Sequence, residues 1–227
     1  MSSGPLKIDK TWSLFLDRDG VINRRIVGGY VQSWDQFEFL PGVTEALKIL
    51  SGNFTRILVV SNQQGVGKGL ITDKDVKSIH ARMAEEIAEA GGTIHKIYYC
   101  PSLDEDKSIL RKPNIGMALK ARKDDPAINF KRSVMVGDSI SDMIFGRRLK
   151  MKTVFLSNDI SVIRKGAQFI DFVYDDLLAF AKSLTFATPP SPTIPSSPSS
   201  PSTPSSPTTP TTPSSLTTPS SPNTLSP

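Results

Sequence analysis

The 227-residue chain carries a formal net charge of +5 and a single cysteine. One cysteine excludes an internal disulfide framework and suits a reducing compartment. No apolar run reaches signal-peptide or membrane-span length, so the expected location is cytoplasmic. The charge is modest and spread along the chain, which fits an anionic small substrate as well as a nucleic acid.

Composition changes at Thr188. From there to Pro227 the chain is Pro, Ser and Thr with only Ile194, Leu216, Asn223 and Leu225 interspersed, and no Asp, Glu, Lys or Arg follows Lys182. Proline recurs at every third position from 192 to 213, the period of a polyproline II turn, and nothing in the segment can build a core. Two units are therefore expected: a domain over 1–187, long enough to bury a substantial core, and a disordered Pro/Ser/Thr-rich tail over 188–227. The tail reads as a linker or inert extension, or through its Ser-Pro and Thr-Pro pairs as a docking or modification segment for a partner the sequence does not identify.

Trp12 to Leu16 reads as the first strand, ending abruptly in Asp17-Arg18-Asp19-Gly20. Side chains alternate along extended backbone, so the two acids can face one site while Arg18 points away. Residues 23–39, with Gly28-Gly29 between the β-like pieces 24–27 and 30–32, suggest a small flap. Pro41-Gly42 opens a helix through Leu50, with Val43, Ala46, Leu47 and Leu50 on one face. A second strand, 56–60, ends in Ser61-Asn62-Gln63-Gln64-Gly65. Thr72 or Asp73 caps a long helix to about Ala90, which Gly91-Gly92 stops.

A third strand over 94–99 leads through the irregular loop 101–110 to Arg111-Lys112-Pro113 and a helix over about 115–123. A fourth, 133–136, ends in Gly137-Asp138-Ser139-Ile140-Ser141-Asp142, with a helix at 143–149. Strands at 153–156 and 172–174 and a helix at 176–184 follow. Strand and helix alternate throughout, so the expected fold class is α/β: a Rossmann-like, mostly parallel sheet flanked by helices, with the flap as its only cap.

Ligands of such sheets bind beyond the carboxyl ends of the strands, and four strand ends carry polar residues that could converge there. They are Asp17 with Asp19, Ser61 with Asn62, Arg111 with Lys112, and Asp138 with Asp142. Carboxylates with a hydroxyl, an amide and a lysine suit magnesium and a phosphoryl group: magnesium takes hard oxygen ligands, and lysine offers phosphate a compact point charge. An EF-hand is excluded because Val21 interrupts the ligand pattern. Gly65-Val66-Gly67-Lys68-Gly69 is not a P-loop, since Asn62 stands where its first glycine is needed and Gly69 where Ser or Thr is needed. His80 reads as an ordinary residue of the long helix, and His95 as the opening of a strand.

Asp17-Arg18-Asp19-Gly20-Val21, Ser61-Asn62, Lys112-Pro113 and Gly137-Asp138 through Asp142, in that order, resemble the four motifs of the haloacid dehalogenase superfamily of phosphatases. Phe39-Leu40-Pro41-Gly42-Val43, Ser61 to Val66, Ile97 to Pro101, Arg111-Lys112-Pro113 and Met135 to Asp138 are similar to its heptose-bisphosphate phosphatase and histidinol-phosphatase subfamily. The resemblance implies Asp17 as nucleophile and Asp19 as acid and base, with the pKa of Asp19 raised by the neighbouring Asp17 charge. It implies magnesium held by Asp17, Asp138 and the main-chain carbonyl of Asp19, with Asp142 in support. Ser61, Asn62 and Lys112 would bind the phosphoryl group, and Arg111 a second anionic group of the substrate.

Subfamily members often hold the loop after the third strand with zinc on three cysteines and a histidine. Here Cys100 stands alone and Ser102 occupies the histidine's place, so zinc is not expected and packing alone must order the loop. The implied substrate is a phosphorylated small molecule, first a heptose 1,7-bisphosphate losing its 7-phosphate and second histidinol phosphate. A polynucleotide 3′-phosphatase comes third, nucleic acid and membrane not being the expected partners. The reading from another class is a non-catalytic phospho-sugar-binding or scaffold protein.

Overall fold

The computed structural model describes residues 6–186. The tail expected over 188–227 lies outside the described residues. In chain order the elements are β1 (Lys7–Ile8), β2 (Ser13–Leu16), α1 (Val43–Asn53), β3 (Arg56–Asn62), α2 (Asp73–Glu89), β4 (Lys96–Cys100), α3 (Gly116–Asp124), β5 (Ser133–Gly137), α4 (Ile140–Arg148), β6 (Lys152–Leu156), α5 (Ile160–Gly166), β7 (Phe172–Tyr174), α6 (Leu177–Ser183) and β8 (Thr185–Phe186). Six strands form one wholly parallel sheet in the order β4-β3-β2-β5-β6-β7.

Alternation along the strands sorts the core into two layers. Leu14, Leu16, Ile57, Val59, Val134 and Val136 belong to the layer that also holds buried residues of α1, α2 and α6. Phe15, Leu58, Val60 and Met135 face the other way, onto Met117 and Ala121 of α3 and Phe145 of α4. With both faces covered, central strands are apolar on both sides, as Leu14-Phe15-Leu16 of β2 are. The chain steps outward from β2 through β3 to β4 and then returns to place β5 on the other side of β2. Strand order therefore reverses between β2 and β5, where a crevice opens beyond the carboxyl ends of the strands.

Three local features differ from the sequence expectation. The β-like pieces of the flap are not strands: residues 23–39 are held by isolated bridges of Asn23 to Asp19 and Phe39. The Arg24–Glu38 ion pair, at 2.8 and 2.9 Å, and Trp34 stacked on Phe37 tie the flap to itself, because Gly28-Gly29 interrupts any ladder. Helix α5 was not expected; Asp159 caps it by accepting hydrogen bonds from the amides of Ser161 and Val162, and its exposed Ile160 obscures the apolar period. The parallel pair β1–β8 is two residues long, below what alternation can reveal. Among the described residues no helix is long and apolar enough to cross a membrane.

Candidate active site

β2 delivers Asp17 to the switch point, where its amide donates to the Val136 carbonyl of β5 at 3.0 Å. Gly20 then turns the chain at φ +93°, and a Cβ there would lie 2.0 Å from Asp138 Oδ2. Only glycine lets the loops after β2 and β5 approach so closely. Past β5, Ser139 and Asp142 form a capping box that starts α4. Asp142 Oδ2 accepts from Ser139 Oγ at 2.6 Å, which fixes Asp142 in the interior.

Lys112, 3% exposed, reaches the same point from beyond β4. Its Nζ lies 2.8 Å from Asp17 Oδ1 and 2.7 Å from Asp142 Oδ1. Burial disfavours its charged form, but Asp142 and Asp17 outweigh that and hold its pKa above the ordinary lysine value. Carboxylate oxygens of Asp17, Asp138 and Asp142 lie within 4.8 Å of one another. Burial first, then the Asp142 and Asp138 charges, push Asp17 up to about 7 against the opposing pull of Lys112. Burial and Asp142 push Asp138 up to about 6, opposed by Arg25 and Lys112. Arg25 reaches Asp138 Oδ2 from the flap at 3.3 Å.

Asp19 departs from expectation. Burial raises its pKa, but the Arg18 charge and hydrogen bonds from Arg18, Asn23 and Gln63 more than offset this and leave it below the usual carboxylate range. Its Oδ1 accepts from Arg18 Nη2 at 2.8 Å and Asn23 Nδ2 at 3.0 Å, and its Oδ2 from Gln63 Nε2 at 2.8 Å. The predicted upward push from Asp17 fails because these donors surround the carboxylate. Nor does Arg18 point idly away: its guanidinium folds back to Asp19 and also donates from Nη1 to His80 Nε2 at 3.0 Å.

His80 is thus no ordinary helix residue. Burial, reinforced by the Arg18 charge and opposed by Asp19, pushes it down to about 3. The unfolded chain takes up a proton below about pH 6.5 that the native state refuses, so stability present above that pH is lost as pH falls, by up to about 1.4 kcal/mol per pH unit. His80→Gln lacks this titration. Its urea midpoint should fall less between pH 7 and pH 5 than that of the parent, and equal slopes would refute the assignment. His95, expected to open a strand, lies immediately before β4; its Nδ1 accepts from the Ile57 amide.

The other expected site residues also take definite places. Ser61, 1% exposed, accepts from Gln63 Nε2 at 2.7 Å. Asn62, expected to assist at the phosphoryl group, commits both ends of its amide to Lys112: Oδ1 accepts from the Lys112 amide at 2.9 Å and Nδ2 donates to its carbonyl at 3.1 Å. Arg111 donates from Nε to Asp104 at 3.0 Å and from Nη1 to the Ser102 carbonyl at 3.4 Å. The 101–110 loop is therefore ordered by polar contacts as well as by packing. Asp106 accepts from the Leu103 amide and Asn114 donates to the Ser108 carbonyl, as Asp and Asn do in turns.

A cavity of about 200 Å³ opens onto Asp17, Asp19, Ser61, Arg111 and Lys112 from the sheet, with Arg25 and Tyr30 of the flap across from them. Tyr30 accepts at its hydroxyl from Gln64 Nε2 at 2.7 Å, which ties the flap to the loop after β3. Hard oxygens alone make the acidic trio, and Asp138 Oδ1 is buried with no hydrogen-bond partner among the described residues. Both facts fit a small divalent cation. Asp142 has one oxygen on Lys112 and the other on Ser139, so Asp17 and Asp138 are the carboxylates left to hold it.

The family model for polynucleotide kinase 3 phosphatase matches residues 15–191. A D-glycero-alpha-D-manno-heptose-1,7-bisphosphate 7-phosphatase of Mycobacterium bovis is 46% identical over 132 residues, 58% of this chain and 70% of the relative. A D-glycero-beta-D-manno-heptose-1,7-bisphosphate 7-phosphatase of Pasteurella multocida is 33% identical over 180 residues, 75% of this chain and 95% of the relative. Among solved structures, the D,D-heptose 1,7-bisphosphate phosphatase of B. bronchiseptica, complexed with magnesium and phosphate, superposes with a TM-score of 0.68 at 27% identity, covering 75% of this chain and 96% of that one. The crevice at the strand reversal, its paired acids and these matches agree: the chain belongs to the polynucleotide kinase 3 phosphatase family of haloacid-dehalogenase-type phosphatases.

Proposed function

We propose that the protein is a magnesium-dependent phosphomonoesterase of the cytoplasm that removes the 7-phosphate of a D-glycero-D-manno-heptose 1,7-bisphosphate. In this reading residues 1–187 form the phosphatase unit and 188–227 an appended segment. One observation carries the chemistry: Asp17, an acid of raised pKa clustered with Asp138 and Asp142, meets the buried Lys112 ammonium in a cavity that Asp19 also lines. The names of the relatives support the substrate, and the higher identity to the α-anomer enzyme favours that anomer.

Asp17 attacks phosphorus in line; its oxygen–phosphorus bond forms as the bond to the leaving oxygen breaks, giving an aspartyl-phosphate. Asp19 gives its proton to the leaving alkoxide, then takes one from the water that attacks phosphorus and releases phosphate from Asp17. The arriving phosphate's negative charge favours the protonated form of Asp19 for the first half, and once that proton is given to the leaving oxygen Asp19 is ionised and ready to act as base. Asp17, Asp138 and the Asp19 carbonyl would hold magnesium, whose charge when bound lets an anionic nucleophile approach an anionic phosphate. Lys112 and Ser61 stand beside the nucleophile to receive phosphoryl oxygens. Arg111 and Arg25 line the cavity where a second anionic group would lie.

Phosphate release should be measured with magnesium and with EDTA on both heptose bisphosphate anomers, histidinol phosphate and a 3′-phosphorylated oligonucleotide. The expected result is magnesium-dependent release from the α anomer, at least about tenfold faster than from the others. Equal rates across the panel would discard the substrate, preference for the oligonucleotide would favour the polynucleotide reading that the family model raises, and no release would restore the binding-protein reading.

A further inference from the structure

The two carboxylates after β2 sit in opposite settings. Asp17 faces other acids, whereas every hydrogen bond that Asp19 accepts comes from a side chain with no role in the proposed chemistry. Of these, Arg18 is the most constrained. It is 1% exposed and is held at two points: Nη2 donates to Asp19 Oδ1 at 2.8 Å and Nη1 to His80 Nε2 at 3.0 Å. Arginine has no acceptor, so His80 accepts through an unprotonated Nε2, which places its proton on Nδ1. His80 belongs to α2, whose first turn is fixed by a Thr72–Asp75 capping box, and Tyr99 of β4 meets its ring edge-on at 5.3 Å.

We propose that Arg18 and His80 are positioning residues for the acid–base step: His80 on α2 locks the Arg18 fork, and Arg18 locks Asp19 so that its Oδ2 is the oxygen that carries the proton. Oδ1 faces two donors, Arg18 Nη2 and Asn23 Nδ2, and has no room for a proton of its own. Oδ2 has only Gln63, and Gln63 Nε2 has a second acceptor in Ser61 Oγ at 2.7 Å. Gln63 can thus release Oδ2 to the leaving oxygen and keep a partner. A guanidinium held at one point would swing about its own side chain; two points at right distance make the carboxylate plane stationary through both halves of the reaction.

This inference rests on Asp19 as acid and base, and its test separates the two. The reading is kcat/KM, which covers steps through departure of the leaving group, on a sugar phosphate with an alkoxide leaving group and on p-nitrophenyl phosphate, whose leaving group needs little protonation. Positioned general acids contribute about 10²- to 10⁴-fold, so partial misplacement should cost the sugar phosphate about tenfold or more and p-nitrophenyl phosphate less than about threefold. That pattern is expected for Arg18→Met and for His80→Leu, which removes the acceptor from the helix and spares the folding risk of an altered buried arginine. His80→Gln, whose amide oxygen can accept from Arg18, should recover most of the selective loss.

Equal losses on both substrates, no loss on either, or no difference between His80→Leu and His80→Gln would overturn the proposal. Asp19→Asn must show the same leaving-group selectivity. If Asp19→Asn shows it and His80→Leu does not, the positioning role alone falls; if Asp19→Asn does not show it, the assignment of Asp19 falls and takes the positioning role with it.

Discussion

Asp17→Asn should lower phosphate release by about 10³-fold or more without lowering the melting temperature of the metal-free protein. The carboxamide is a poor nucleophile, and groups that act as one unit lose nearly all their effect together. Stability follows from the charges. Burial penalises ionised Asp17 most, the Asp142 and Asp138 charges add to that, and the Lys112 ammonium only partly offsets them, so its pKa stands at about 7 instead of the usual carboxylate value. A raised folded-state pKa means that what Asp17 contributes is fully present at low pH and is lost as pH rises through about 7.

At pH 8 in EDTA the Asn variant, with no charge to desolvate, should therefore melt at or above the parent. Magnesium should reverse the order. A cation that binds the native state raises its melting temperature by mass action, and removing one of the two available carboxylates should abolish most of that gain. A variant that lost stability in EDTA and kept its full magnesium shift would refute the placement of Asp17 between metal and nucleophile roles.

The positions of these acids were legible because the signal is local. Asp17 and Asp138 each close an apolar run of strand type, with Asp19 two residues beyond Asp17, and a parallel sheet sends such residues to the crevice. Their mutual setting was not legible. Arg18 and His80 are 62 residues apart and Arg25 and Asp138 are 113 apart; each pair meets only when α2 packs on the sheet or the flap folds over β5. Alternation suggested that Arg18 would leave the face shared by the acids, and gave no hint that its long side chain would return to Asp19 and line the same cavity. The same limit hid part of the work of Asn62, whose amide type suggested ligand contact and which, beside its place in the cavity lining, holds the Lys112 backbone. In each case the residue type was informative and the partner, set by tertiary packing, was not.

Lys112→Met should be inactive for a reason opposite to Asp17→Asn, and the two together test the charge balance of the site. Among the described residues the ammonium is the one positive group paired with both Asp17 and Asp142, and it is buried. Removing one member of a buried ion pair leaves its partner's charge uncompensated, at a cost of about 3–5 kcal/mol. Asp17 can escape its share of that cost by taking up a proton, so the loss depends on pH. Near pH 5, below the value of about 7 at which Asp17 already stands, it is protonated in the variant's native state and urea denaturation in EDTA should show the smaller deficit. Near pH 8 it is more often ionised, and the deficit should be larger. Adding Asp142→Asn to Lys112→Met removes the second stranded charge and should return part of the stability at pH 8, but none of the activity, since no ammonium is left to receive phosphoryl oxygens beside Asp17. A deficit of equal size at both pH values would mean that Lys112 acts by packing alone. Its methylene stem would then matter more than its charge, and the pull of Lys112 against the burial and acid charges that raise the pKa of Asp17 would be negligible.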